Sequence, residues 1–88
     1  MIRKRVVVHG YVQGVFFRDT ARRRAQAEGV AGRIRNRPDG AVEAVFEGEP
    51  AAVGRLVGFC REGPRGATVE RVEEFDEDLK GLSGFVVT

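Results

Sequence analysis

Val30-Ala31-Gly32-Arg33-Ile34-Arg35-Asn36, then Arg37-Pro38-Asp39-Gly40, then Ala41-Val42-Glu43-Ala44-Val45-Phe46-Glu47: two strand-like runs flank a four-residue break. Pro and Asp suit the centre of a type I turn, and Gly accepts the left-handed position that follows it. The stretch predicts a β-hairpin, with strands over 30–36 and 41–47. Upstream of it, Phe17, Ala21 and Ala25 recur every four residues, with Arg22, Arg23 and Gln26 off that line. This spacing predicts a helix from Phe17 to Glu28, stopped by Gly29. Downstream, Pro50 can open a second helix where its missing N–H is no loss. Val53, Leu56, Val57 and Cys60 fall at i, i+3, i+4 and i+7, one apolar stripe, before Gly63-Pro64 ends the run. Val-rich Arg5 to Tyr11 predicts a first strand. Ala67, Val69, Val72 and Phe75 predict a fourth, in which a bulge near Glu70-Arg71 explains a spacing that slips from two to three. Phe85-Val86-Val87 predicts a last short strand.

The order β-α-β-β-α-β, with right-handed crossovers, places both helices on one face of an antiparallel sheet. The expected fold class is therefore α+β, a ferredoxin-like sandwich with a short extra C-terminal strand. A chain of 88 residues is expected to form one domain over 1–88. Apolar residues at 42% and charged residues at 32% exclude wholesale disorder. No apolar run approaches the roughly 20 residues of a membrane span. Met1-Ile2-Arg3-Lys4-Arg5 leads into a strand rather than the apolar region of a signal peptide. Cys60 is the only cysteine, so neither an intrachain disulfide nor a thiolate metal cluster is expected, and the cytoplasm is the expected location.

The net charge of +2 hides an asymmetry. Residues 1–44 carry ten basic and four acidic side chains, whereas residues 45–88 carry five and nine. A basic N-terminal half suits an anionic partner, although both signs could equally decorate a solvated surface. Thirteen of the fifteen basic residues are Arg, the side chain fitted to planar, bidentate phosphate contacts. The Arg excess, with few Asn and Gln and short loops, is also a pattern of heat-adapted chains.

Gly10-Tyr11-Val12-Gln13-Gly14-Val15-Phe16-Phe17-Arg18 runs from a strand end through a glycine loop into a helix N-terminus. Main-chain N–H groups there lack helical partners, and with the positive end of the helix dipole they can cradle an anion. Gly14 leaves no Cβ in the way, and Arg18 can add a guanidinium fork. The same residues would also make a plain strand-to-helix turn with Arg18 in solvent.

Val12-Gln13-Gly14-Val15-Phe16-Phe17-Arg18 resembles the first signature of the acylphosphatase family, V-Q-G-V-x-F-R. Gly32-Arg33-Ile34-Arg35-Asn36-Arg37-Pro38-Asp39-Gly40-Ala41-Val42-Glu43 is similar to its second, G-[WY]-[VI]-x-N-x-x-D-G-x-V-E. Gly63 to Val72 is similar to a third block, G-P-x-x-A-x-V-x-x-V. Order and separation match over nearly the whole chain. Arg33 departs from the pattern, standing where an aromatic residue is usual; this touches packing or access beside the site and removes no catalytic group. The resemblance implies hydrolysis of acyl phosphates to a carboxylate and inorganic phosphate. It assigns phosphate binding to Arg18, with the loop N–H groups of Gly14, Val15, Phe16, Phe17 and Arg18, and water positioning to Asn36. It implies no metal and no organic cofactor, and a small-molecule acyl phosphate as partner rather than nucleic acid or membrane. The chain is expected to be a monomer.

Other residues carry plainer readings. His9, the only histidine, faces away from the loop on the first strand. Cys60 falls on a core stripe. Glu73-Glu74 and Asp76-Glu77-Asp78 read as a solvated strand end and turn rather than a metal site. Arg22-Arg23-Arg24 fan around a helix. Arg33, Arg35 and Arg37 share one side of their strand, facing either the site or water. Competing functions on this fold lack their marks. An RNA-binding sheet needs an aromatic run on its central strands, and a metal chaperone needs C-x-x-C. A regulatory domain that binds a small anion without turnover would keep the cradle, and a hydrolysis assay distinguishes it.

Overall fold

The computed structural model describes all 88 residues. The elements run β1 (Ile2–Tyr11), α1 (Phe17–Glu28), β2 (Ala31–Asn36), β3 (Val42–Gly48), α2 (Pro50–Glu62), β4 (Thr68–Glu77) and β5 (Phe85–Val87). The five strands form one sheet in the order β4-β1-β3-β2-β5, with the helices on one face. The α+β sandwich is as expected. The sheet, however, is mixed and not purely antiparallel: β5 lies parallel to β2, pairing Gly32 with Phe85 and Ile34 with Val87. A chain that has crossed from β4 at the far edge arrives beside β2 running in β2's direction.

The stripes read from sequence supply the core. Phe17, Ala21 and Ala25 of α1 and Val53, Leu56, Val57 and Cys60 of α2 are all buried against Val6, Val8, Ile34, Val42, Ala44 and Phe46 of the sheet. Phe17 meets Phe59 at a ring separation of 5.4 Å, and Phe46 stacks on Phe85 at 5.7 Å. Gly29 ends α1 in the left-handed conformation, φ 68°, its N–H reaching the carbonyls of Ala25 and Gln26. The hairpin turn forms as its residues suggest. Gly40 has φ 92°, its N–H donates to the Arg37 carbonyl at 3.1 Å, and the Asp39 carboxylate accepts the Ala41 N–H at 3.0 Å.

β1 begins earlier than the valines suggest, because Arg3 and Lys4 find partners across the sheet. Arg3 pairs with Glu47 and Glu77, and Lys4 with Asp76. In β4 the expected bulge is present. His9 faces Arg71 and Gly10 faces Val69, which leaves Glu70 as the extra residue and lets both Val69 and Val72 pack on the core. Phe75 does not join them. Three residues beyond Val72, with no second bulge between, it projects from the opposite, open face, where the Arg5 guanidinium lies 4.3 Å from its ring centre. The acidic run from Glu73 to Glu77 likewise belongs to β4 rather than to a turn. Its carboxylates are engaged: Glu73 by His9, Glu74 by Arg61, Asp76 by Lys4 and Glu77 by Arg3 and Arg5.

Glu47 is the one carboxylate taken nearly out of water, at 4% exposure. It accepts the main-chain N–H groups of Lys80, Gly81 and Leu82 at 2.9, 2.9 and 3.2 Å, and the Arg3 guanidinium at 3.3 Å. These donors, the Lys80 N–H first, outweigh desolvation and hold its carboxyl below the ordinary range. The contact fastens the β4–β5 connection to the sheet.

Candidate active site

The loop between β1 and α1 is tied down at both ends. The Gln13 carboxamide donates to the carbonyls of Arg37 at 2.8 Å and Ala41 at 2.9 Å, stapling the glycine loop to the β2–β3 turn. Gly14, at φ 75°, has open space where a Cβ would stand, so the backbone is bare toward the site. Phe16 precedes α1 in the left-handed conformation, φ 60° and ψ 25°, the only residue other than glycine with positive φ. The helical ladder starts with the Thr20 N–H, which donates to the Phe16 carbonyl at 3.0 Å. The N–H groups of Phe17, Arg18 and Asp19 precede it and have no helical acceptor.

A hollow of about 380 Å³ opens at this helix end, lined by Gly14, Phe16, Arg18 and Asn36 among others. Arg18 comes from the first turn of α1. Asn36 closes β2, on the same side of the strand as buried Ile34 and therefore on the helix side of the sheet. The two side chains expected to work together thus share one cavity, and Gly14, Phe16 and Phe17 of the expected loop also line it; Val15 instead packs against the core.

Sequence reasoning did not name Val12, Asp19, Arg22 and Val87 as further walls. Arg22 could have been found, since it follows Arg18 by four residues and so lies above it on the helix. Its guanidinium holds Asp19 at 2.6 Å, and that hydrogen bond chiefly keeps the Asp19 carboxyl below its ordinary value. Val87 had no local signal, because only the parallel pairing of β5 brings it here. The Arg18 guanidinium donates to the Thr88 main-chain oxygen at 2.8 Å, using one of its five N–H groups.

Several residues lie elsewhere. Arg33 and Arg35 project from the open face of β2, opposite Asn36, beside Arg3 and Arg5. Arg35 pairs there with Glu43 at 2.7 Å, and Arg37 pairs with Asp39 at 3.0 Å, so none of the three lines the hollow. His9 contacts Glu73 at 2.7 Å and Arg71 at 3.2 Å on that open face. Cys60 is fully buried, and burial pushes its thiol up to about 12.

A five-stranded α+β sandwich with a bare glycine loop, a helix end and an arginine around one cavity has the chemistry to hold a phosphate-sized anion. The acylphosphatase family description matches residues 4–87. The chain is 60% identical over 86 residues to an acylphosphatase of Rubrobacter xylanophilus, covering 97% of this chain and 78% of that one. It is 55% identical to an acylphosphatase of Gloeobacter violaceus, covering 98% and 92%. The crystal structure of acylphosphatase from Bacillus subtilis superposes with a TM-score of 0.95 at 31% identity, over 100% of this chain and 99% of that one. The chain belongs to the acylphosphatase family. That family consists of hydrolases that act on acyl phosphates.

Proposed function

We propose that residues 1–88 act as one unit that hydrolyses the carboxyl–phosphate bond of small acyl phosphates, with Arg18 and the loop N–H groups holding the phosphate and Asn36 placing the water. The observation that carries this reading is the convergence of Arg18 and Asn36, far apart in sequence, on one cavity at a helix N-terminus. An acyl phosphate is a mixed anhydride whose leaving group is a carboxylate, with a conjugate acid of pKa about 4. It departs without a general acid. Phosphoryl transfer then asks mainly for position and charge stabilisation. The N–H groups of residues 14 to 18 and the Arg18 fork grip the equatorial oxygens, with the helix dipole aligned to favour the negative charge. The Asn36 carboxamide orients a water in line with the scissile bond. The water oxygen bonds to phosphorus, the bond from phosphorus to the acyl oxygen breaks with its electron pair on the carboxylate, and a phosphate oxygen takes the water proton. No step in this sequence calls on a metal or an organic cofactor.

The reading takes a small molecule as partner and a monomer in the cytoplasm as the working form, without nucleic acid. In its support, Arg3, Arg5, Arg35 and Lys4 of the basic N-terminal half are all engaged by carboxylates of the chain itself. The test is carboxylate release from benzoyl phosphate with EDTA present. Arg18→Ala is expected to abolish phosphate binding and turnover. Asn36→Ala should lower kcat by about 100-fold or more while largely sparing inhibition by inorganic phosphate. Full activity in the Asn36 variant removes that residue from the mechanism, and an inactive wild type refutes the reading.

A further inference from the structure

Phe16 and Phe17 are adjacent and have opposite fates. Phe17 is 2% exposed in the core, whereas Phe16 is 80% exposed, more than any other large apolar side chain of the chain. Phe16 also holds the single left-handed backbone conformation outside glycine, although its side chain makes no capping hydrogen bond. An exposed aromatic ring on a strained backbone position gains nothing for folding, and such outliers gather at functional sites. Phe16 lines the hollow that holds Arg18 and Asn36.

We propose that Phe16 selects the acyl group, its ring forming the platform against which an apolar or aromatic acyl chain lies while the phosphate sits in the loop. The inference rests on the acyl phosphate reading above. In that reading the loop N–H groups and Arg18 take the equatorial oxygens and Asn36 takes the water, so the organic part of the substrate must lie along what remains of the wall. Of the apolar side chains there, Val12 and Phe17 are buried at 1% and 2% exposure. Phe16 and Val87 alone offer open apolar surface. Stacking on a ring is made equally with substrate and transition state, so it acts through KM more than through kcat.

The test compares kcat/KM for benzoyl phosphate with kcat/KM for acetyl phosphate in wild type, Phe16→Asn, Phe16→Leu and Phe16→Tyr. Asn accepts the left-handed backbone, so the loop is kept while the ring is lost. The benzoyl-to-acetyl ratio is expected to fall about three- to tenfold in Phe16→Asn, mainly through KM for benzoyl phosphate. It should fall less in Phe16→Leu and return in Phe16→Tyr. Should Phe16→Asn not fold, the Leu and Tyr variants still give the ratio. An unchanged ratio in every variant that folds overturns the proposal even if acyl phosphate hydrolysis stands. A wild type that hydrolyses neither substrate overturns the reading beneath it.

Discussion

Gly32 is the second residue of the strand that delivers Asn36, and no side chain fits there. An added Cβ would stand 1.8 Å from the Val45 carbonyl oxygen and 2.8 Å from its carbon, with the Phe85 ring at 3.3 Å. Bringing the 1.8 Å contact out to the 3.0 Å that real Cβ atoms respect would part β2 from β3 by about 1.2 Å, the difference of those two distances. A ladder hydrogen bond of ~2.9 Å stretched by that much is lost. Two such bonds, at ~0.5–1.5 kcal/mol each, are at risk. Gly32 also sits at φ 145°, which an L side chain rarely adopts, at a further cost of ~1–3 kcal/mol. Gly32→Ala is therefore expected to destabilise by ~3–5 kcal/mol, a large share of the ~5–15 kcal/mol that holds a typical domain. At ~4–8 °C per kcal/mol, Tm should fall by about 12–40 °C. Circular dichroism melts with urea titrations measure it. Gly29→Ala is the control: φ there is 68° but nothing lies within 4 Å of the added Cβ, so only the strain of ~1–2 kcal/mol should appear. If Gly32→Ala melts within a few degrees of Gly29→Ala, the close approach of β2 and β3 does not carry the effect and the reasoning fails.

Glu47, Glu73 and Glu77 are all held below their ordinary value of 4.5 in the folded chain, by N–H donors or cationic partners. Each binds fewer protons folded than unfolded, so its contribution is complete above about pH 4.5 and is lost as pH falls through the lower folded value. The urea midpoint should drop on acidification below pH 4.5, and Glu47→Gln should lower it at pH 7 while flattening that acid limb. An equally steep limb in Glu47→Gln would assign the effect to other carboxylates. The Cys60 thiol, pushed up to about 12 by burial, should resist dithionitrobenzoate at pH 8 and react fully in denaturant. Rapid stoichiometric labelling of the native chain would show that α2 opens far more readily than its packing implies.

Much of this molecule was legible one element at a time. Helical stripes such as Phe17, Ala21 and Ala25 report which face a helix buries, because the 3.6-residue turn converts spacing directly into direction. The Pro38-Asp39-Gly40 turn and the Glu70 bulge were readable for the same reason: each is settled within a few bonds of chain. The Arg18 and Asn36 pair was legible only through the resemblance of two separate motifs. Nothing in either segment alone says that a helix start and a strand end will border one cavity.

The tertiary structure decided the rest through strand neighbours, which sequence spacing does not encode. Antiparallel pairing of β1 with β4 sets Arg3 against Glu77 and Lys4 against Asp76, with Arg5 also reaching Glu77 and Lys4 reaching Glu74, so the charge asymmetry between the two halves of the chain closes into ion pairs across the sheet. Parallel addition of β5 beside β2 carries Val87 to the site and the Thr88 carbonyl to Arg18. Phe75 left the core because one bulge, and not two, sets the phase of β4. Local periodicity thus determined the elements and their buried faces, since those depend on bonds a few residues apart. Which faces meet, and which side chains enclose a common hollow, emerged only when distant strands paired and their registers locked.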